Sequence, residues 1–120
     1  MKQKMIESVR LLAANYTDQI KVFPQEVNIP DEIANIFDEC YSSISLSDIR
    51  EWLDTSQLSI LKEMNSLLDQ MSDHCKECWS LESLESGDKW KQARRIAKRW
   101  LESLSSELKQ PDLFWINYTV

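Results

Sequence analysis

From Leu58 to Trp79 the apolar residues Ile60, Leu61, Met64, Leu67, Leu68, Met71, Cys75, Cys78 and Trp79 recur at spacings of three and four. That period predicts one long helix with a wide apolar stripe. At 100° per residue these side chains share roughly a third of the circumference, while Lys62, Glu63, Asn65, Asp69 and Asp73 fall to the sides or opposite. So broad a stripe needs more than one neighbouring helix to cover it. Upstream, Met5, Val9, Leu12 and Tyr16 align, widened by Ile6 and Ala13, and predict a first helix over about Lys4 to Tyr16. Between Thr17 and Pro30 the period is lost. Pro24 and Pro30 exclude a helix interior there, so the stretch reads as an extended connection pinned down by Ile20, Val22, Phe23, Val27 and Ile29. A short strand over Gln19 to Phe23 would lack an evident partner.

Pro30, Asp31 and Glu32 form a favourable helix start, because proline is tolerated in the first turn and acids there complement the helix dipole. The second helix then runs to about Ser43, with Ile33, Ile36, Phe37, Cys40 and Ile44 inward and Asp31, Glu32, Asp38 and Glu39 outward. Ser45 or Ser47 can cap a short third helix ending at Asp54, with Leu46, Ile49 and Leu53 inward. Thr55 and Ser56 can cap the central helix. No Gly or Pro enforces a break before it, so a fused helix is the alternative. The polar segment Ser80 to Gly87 holds the only glycine and reads as a hairpin connection. A last helix starts near Asp88 and stops before Pro111, with Trp90, Ala93, Ala97, Trp100, Leu101, Leu104 and Leu108 inward. After Pro111 the apolar tail Phe114 to Val120 either packs back across the bundle or is exposed to a partner. The elements predict an all-α, single-domain bundle of four to five helices spanning residues 1–120, with the central and last helices as an antiparallel pair.

Composition sharpens this picture. One glycine and three prolines in 120 residues leave few turns, which favours long helices. No apolar run approaches the length that spans a bilayer, and Met1 to Arg10 lacks the apolar core of a secretory signal. Three cysteines, Cys40, Cys75 and Cys78, are an odd number without the spacing of a disulfide framework, which points to a reducing compartment. A cytoplasmic protein is expected. The net charge of -6 argues against coating nucleic acid, whose binding rests largely on neutralising phosphates.

Candidate chemistry is sparse. His74, Cys75 and Cys78 spell His-Cys-Lys-Glu-Cys, and thiols three apart can chelate a metal or exchange disulfides. This pair lies late in the predicted central helix, where the dipole opposes thiolate, and no second such pair completes a zinc site. Both cysteines fall on the apolar stripe and read as small core side chains, with no metal and no cofactor expected. A single histidine and a single glycine leave no material for a nucleophile and base arrangement or a phosphate loop, so no catalytic residues and no enzyme are expected. The sequons at Asn15 and Asn117 carry no weight in a cytoplasmic protein.

Charge is distributed unevenly. Met1 to Asp88 carries 7 basic and 17 acidic residues, Lys89 to Gln110 carries 7 basic and 2 acidic ones. Lys91, Arg94, Arg95, Lys98 and Arg99 flank the apolar face of the last helix. They read first as intramolecular charge balance, with Arg94 leaning inward toward a carboxylate, and next as a partner contact; neither direct nucleic-acid binding nor membrane binding is expected. The acids Asp31, Glu32, Asp38, Glu39, Asp48, Glu51 and Asp54, interrupted only by Arg50, form either a solvated face or the surface offered to a basic protein partner.

The Trp90-x-x-Ala93-Arg94-x-x-Ala97 helix in a small, acidic, all-helical chain resembles, over roughly Leu58 to Leu108, the bacterial immunity proteins of contact-dependent-inhibition and bacteriocin toxins. The resemblance implies a cytoplasmic inhibitor that occludes the active site or substrate surface of a cognate, often basic, nuclease toxin. It transfers no contact residue; the seven acids rest on electrostatics. A helical adaptor or scaffold using the basic stripe and the aromatic tail is the alternative.

Overall fold

A computed structural model describes residues 2–44, 51–105 and 109–116. Its helices are α1 (Lys2–Ala13), α2 (Tyr16–Lys21), α3 (Ile29–Ser42), α4 (Thr55–His74), α5 (Leu81–Ser86) and α6 (Asp88–Ser103), with a 3₁₀ turn at Lys76–Trp79. The fold is all-α, and the described residues contain no strand. α6 lies between α1 and α4, and α3 closes the opposite side against α1 and α4. The start of α4 meets the end of α6 through Gln57 Nε2 donating to the Ser103 carbonyl at 3.0 Å. Further along, Arg99 pairs with Glu63. These contacts make α4 and α6 antiparallel, as the sequence predicts.

The core is one continuous cluster dominated by Trp90, Trp100, Phe37, Met64 and Met71. Ala93 and Ala97 are fully buried and let α6 approach its neighbours closely. Trp52 meets Trp100 edge to face at 6.0 Å, and the Lys2 ammonium sits over the Trp52 ring. Both indole N–H groups are buried without an acceptor among the described residues, a cost outweighed by the apolar area two indoles bury.

α1 departs most from its amphipathic pattern, because every residue from Met5 to Ala13 is buried. Glu7 and Arg10 are enclosed as a pair, with Arg10 Nη1 2.6 Å from Glu7 Oε2. Gln3 Nε2 also donates to that oxygen, and the backbone N–H of Asp112 donates to the other at 3.0 Å. The carboxylate thereby ties the segment after α6 across α1. Pro111 is buried, and Leu113, Trp115 and Ile116 pack on the core, so this segment folds back as a strap, while Phe114 within it is exposed. Residues 117–120, including Tyr118 and Val120, lie outside the described residues, as does Leu108.

Several boundaries differ from the sequence reading for identifiable reasons. The connection after α1 is helical, not extended: Asn15 caps α2 by accepting from the Asp18 N–H, and the fully buried Gln19 donates to the Leu11 carbonyl at 3.1 Å. The central helix is capped by Asp54 and not by Thr55 or Ser56, and starts at Thr55, where Asp54 and Gln57 form a capping box. A break at Leu53 and Asp54 therefore separates it from the helical pair Glu51 and Trp52, while Leu46 and Ile49 of the third helix lie outside the described residues. α4 stops at His74 because Cys75, at φ -137 and ψ 84, leaves helical geometry. The hairpin segment contains α5, capped by Ser80. Gly87 follows because a Cβ there would sit 2.6 Å from the Ser83 carbonyl oxygen. α6 ends at Ser103, and Ser105 adopts φ 55, outside right-handed helix.

The cysteine expectation is corrected. Cys75 and Cys78 are not independent core thiols but a disulfide with Cα atoms 5.4 Å apart, and Cys40 is free and buried. The helix ends where the bridge begins, so the two sulfurs meet across a turn and not along a helical face.

Candidate functional site

Pro30 and the Asn28 cap, whose Oδ1 accepts from the Asp31 N–H at 3.1 Å, fix the start of α3. Ile33, Ile36, Phe37 and Cys40 anchor its inner side. Seven residues turn a helix through nearly two full revolutions, so Asp31 stacks with Asp38 and Glu32 with Glu39, each about 10.5 Å apart along the axis. The result is a double row of carboxylates. Asp31, Asp38 and Glu39 are exposed and form no salt bridge among the described residues, and Glu32 is half-buried beside them.

The ridge is bordered by two grooves. One, of about 330 Å³, is lined by Glu32, Asn35, Ile36, Asp38 and Glu39 and walled by Ile116 of the strap. The other, of about 170 Å³, lies toward α4 and brings Asp69, Asn65 and Ser72 beside Asp38, over Phe37 and Leu68. The first groove sets the apolar Ile36 and Ile116 beside carboxylates, a combination that suits a basic side chain with a long aliphatic stem, and the second is lined mainly by polar groups. Asp69 and Ile116 are the contributors that sequence reasoning missed. Asp69 was legible as an outward residue of α4, but nothing in the sequence placed the strap beside α3.

The other expected acids are placed differently. Glu51 is exposed next to Trp52, Asp54 is exposed but occupied as the cap of α4, and Asp48 lies outside the described residues. The structure thus brings together four of the seven acids on α3 and sets Asp54 to a structural task. No group of His, Cys, Asp or Glu able to hold a metal occurs among the described residues.

The basic stripe of α6 divides in two. Arg94 does not meet a carboxylate, as the sequence suggested: its Nε donates to the Ala14 carbonyl at 3.1 Å, and Nη2 donates to Gln19 Oε1 at 2.7 Å and to the Leu84 carbonyl. It is a clamp joining α1, α2, α5 and α6, and burial pushes its guanidinium below the ordinary value. Arg99 is engaged with Glu63. Lys91, Arg95 and Lys98 face outward, and Lys98 borders a cleft of about 380 Å³ shared with Arg10, Asp18, Lys109 and Gln110. Because α3 and α6 occupy opposite corners of the bundle, the acidic and basic faces look away from each other.

No family model, curated protein or solved structure matches the chain. Surface chemistry is therefore what bears on function. No helix among the described residues is long and apolar enough to cross a membrane.

Proposed function

We propose that the protein binds a basic protein partner through the α3 ridge, with Asp31, Glu32, Asp38 and Glu39 as the recognising carboxylates and Asp69 and Ile116 at its edges. In its specific form the reading is that of an immunity protein, which neutralises a basic toxin by covering its active site or substrate surface. The observation that carries it is the double carboxylate row between two grooves. Clustering like charge costs self-repulsion that an even distribution of acids would avoid, and a summed field that steers a basic partner is a physical return for that cost.

The test starts with affinity capture of the partner from native source material, followed by association kinetics at low salt. Reversing both Asp38 and Glu39 to Lys should slow association by about tenfold or more and flatten its salt dependence, with the helical signal unchanged because both side chains are exposed. An unchanged association rate and affinity would refute the proposal. The adaptor reading draws on one observation, the outward Lys91, Arg95 and Lys98 on the corner opposite α3, which would provide a second docking face. A toxin gene beside this one favours neutralisation, and a cluster of assembly factors favours the adaptor.

A further inference from the structure

We propose that the Cys75–Cys78 bridge is a thiol–disulfide exchange site, opened by attack at the Cys75 sulfur while the protein stays folded. The two ends of the bridge differ in access. Cys75 is partly exposed at the end of α4, whereas Cys78 is 2% exposed. Exchange requires the incoming thiolate to reach one sulfur of the pair, and Cys75 is the more accessible residue of the two.

The surrounding turn does not depend on the bridge. The Cys75 N–H donates to the Met71 carbonyl at 3.1 Å and the Cys78 N–H to the Cys75 carbonyl at 3.3 Å. Trp90 Nε1 donates to the Cys78 carbonyl at 2.7 Å, and Trp79 Nε1 to the Met71 carbonyl at 3.3 Å. Asn28 Nδ2 reaches the Trp79 carbonyl at 3.4 Å, and the Trp79 and Trp90 rings meet edge to face at 5.9 Å. These contacts hold both cysteines in place from outside the covalent link. A bridge enclosing only two residues also removes little freedom from the unfolded chain, since that effect grows with loop length. Stapling the fold is therefore its smallest contribution, and the S–S bond can open without releasing the elements around it.

The reductant is a dithiol. Its first thiolate attacks Cys75 Sγ, the S–S bond breaks, and the electron pair leaves on Cys78 Sγ, which takes up a proton. The second thiol of the reductant then attacks the mixed disulfide and frees Cys75 as a thiol. Two electrons and two protons pass to the cysteine pair, and the dithiol becomes a cyclic disulfide.

The experiment exposes the oxidised full chain to dithiothreitol under native conditions, quenches with acid and counts alkylated cysteines by mass after denaturation. The count should rise from one, Cys40, to three, at a rate unaffected by low urea and with the helical signal retained. A reduction rate that climbs with urea in step with unfolding would overturn the proposal, because the bridge would then open only in the unfolded chain. Single-cysteine variants locate the attacked sulfur. In the native state, Cys75 of a Cys78→Ser protein should react with iodoacetamide at least about tenfold faster than Cys78 of a Cys75→Ser protein. Equal or reversed rates would refute attack at Cys75; if either variant fails to fold, trapping the mixed disulfide of the unaltered protein with a monothiol and mapping it to Cys75 or Cys78 by peptide mass decides the same point, a Cys78 adduct refuting it.

Discussion

Replacing Arg94 by Ala probes a cation placed among neutral acceptors. Two of its partners belong to residues with no exposed surface while Arg94 covers them, Gln19 and Leu84, so removing the guanidinium takes a charged donor from oxygens in a largely buried setting. Each buried acceptor left unpaired costs about 1–3 kcal/mol. The third acceptor, the Ala14 carbonyl, belongs to a half-buried residue at the end of α1 and can be rehydrated at a cost of about 0–1 kcal/mol. Against these losses stands the desolvation of the guanidinium, which its lowered pKa registers and which the substitution relieves. The expected net loss is about 2–4 kcal/mol, read from equilibrium urea unfolding followed by far-UV circular dichroism at a common m-value. Arg94→Lys should lose most of the same stability, since an ammonium cannot span three acceptors in a fixed fork. A double-mutant cycle with Gln19→Ala should give a coupling of about 1 kcal/mol or more. A loss below about 1 kcal/mol, or strict additivity with Gln19→Ala, would show that Arg94 clamps nothing.

Two further outcomes follow from the core. Leu68→Ala removes a side chain that is 6% exposed between α3 and α4 and should cost about 2–4 kcal/mol in the same urea assay; a cost under about 1 kcal/mol would contradict the packing described. Burial pushes the Cys40 thiol above its ordinary value, so the folded protein holds that proton more tightly than the unfolded chain. Its contribution is fully present below the ordinary thiol pKa and is lost as pH rises through the raised one. Stability should therefore fall on the alkaline side of neutrality, and Cys40→Ala should flatten that fall; an identical slope in the variant would refute the assignment.

The helices whose apolar residues keep a regular period were legible from the sequence alone: Met5, Val9 and Leu12, and the inward stripes from Ile33 to Cys40, from Leu61 to Met71 and from Trp90 to Leu101, are buried as expected. What the period could not disclose was set by polar groups or by distant chain. α2 spans six residues and is held by the Asn15 cap and a buried glutamine, which leave no apolar repeat. The stop of α4 was hidden because Cys75 and Cys78 continue the helical spacing while the backbone turns away. Burial of Glu7 and Arg10 depends on a strap that arrives about a hundred residues later. The acidic ridge was readable from seven-residue spacing alone, but its grooves needed α4 and the strap to be in place. Asp54 entered the same acidic set because charge pattern does not distinguish a cap from a free carboxylate.

The Glu7 carboxylate that ties the strap to α1 also bears on a surface it does not line. Four residues beyond Asp112, Ile116 forms one wall of the groove beside Glu32 and Glu39. The strap that walls the groove is thus held from α1 as well as by its own packing on the core, through the Glu7 carboxylate and a short length of backbone. A change confined to α1 can reshape the acidic surface while leaving each of its carboxylates in place, and selection on this face can act through residues that no partner would ever meet.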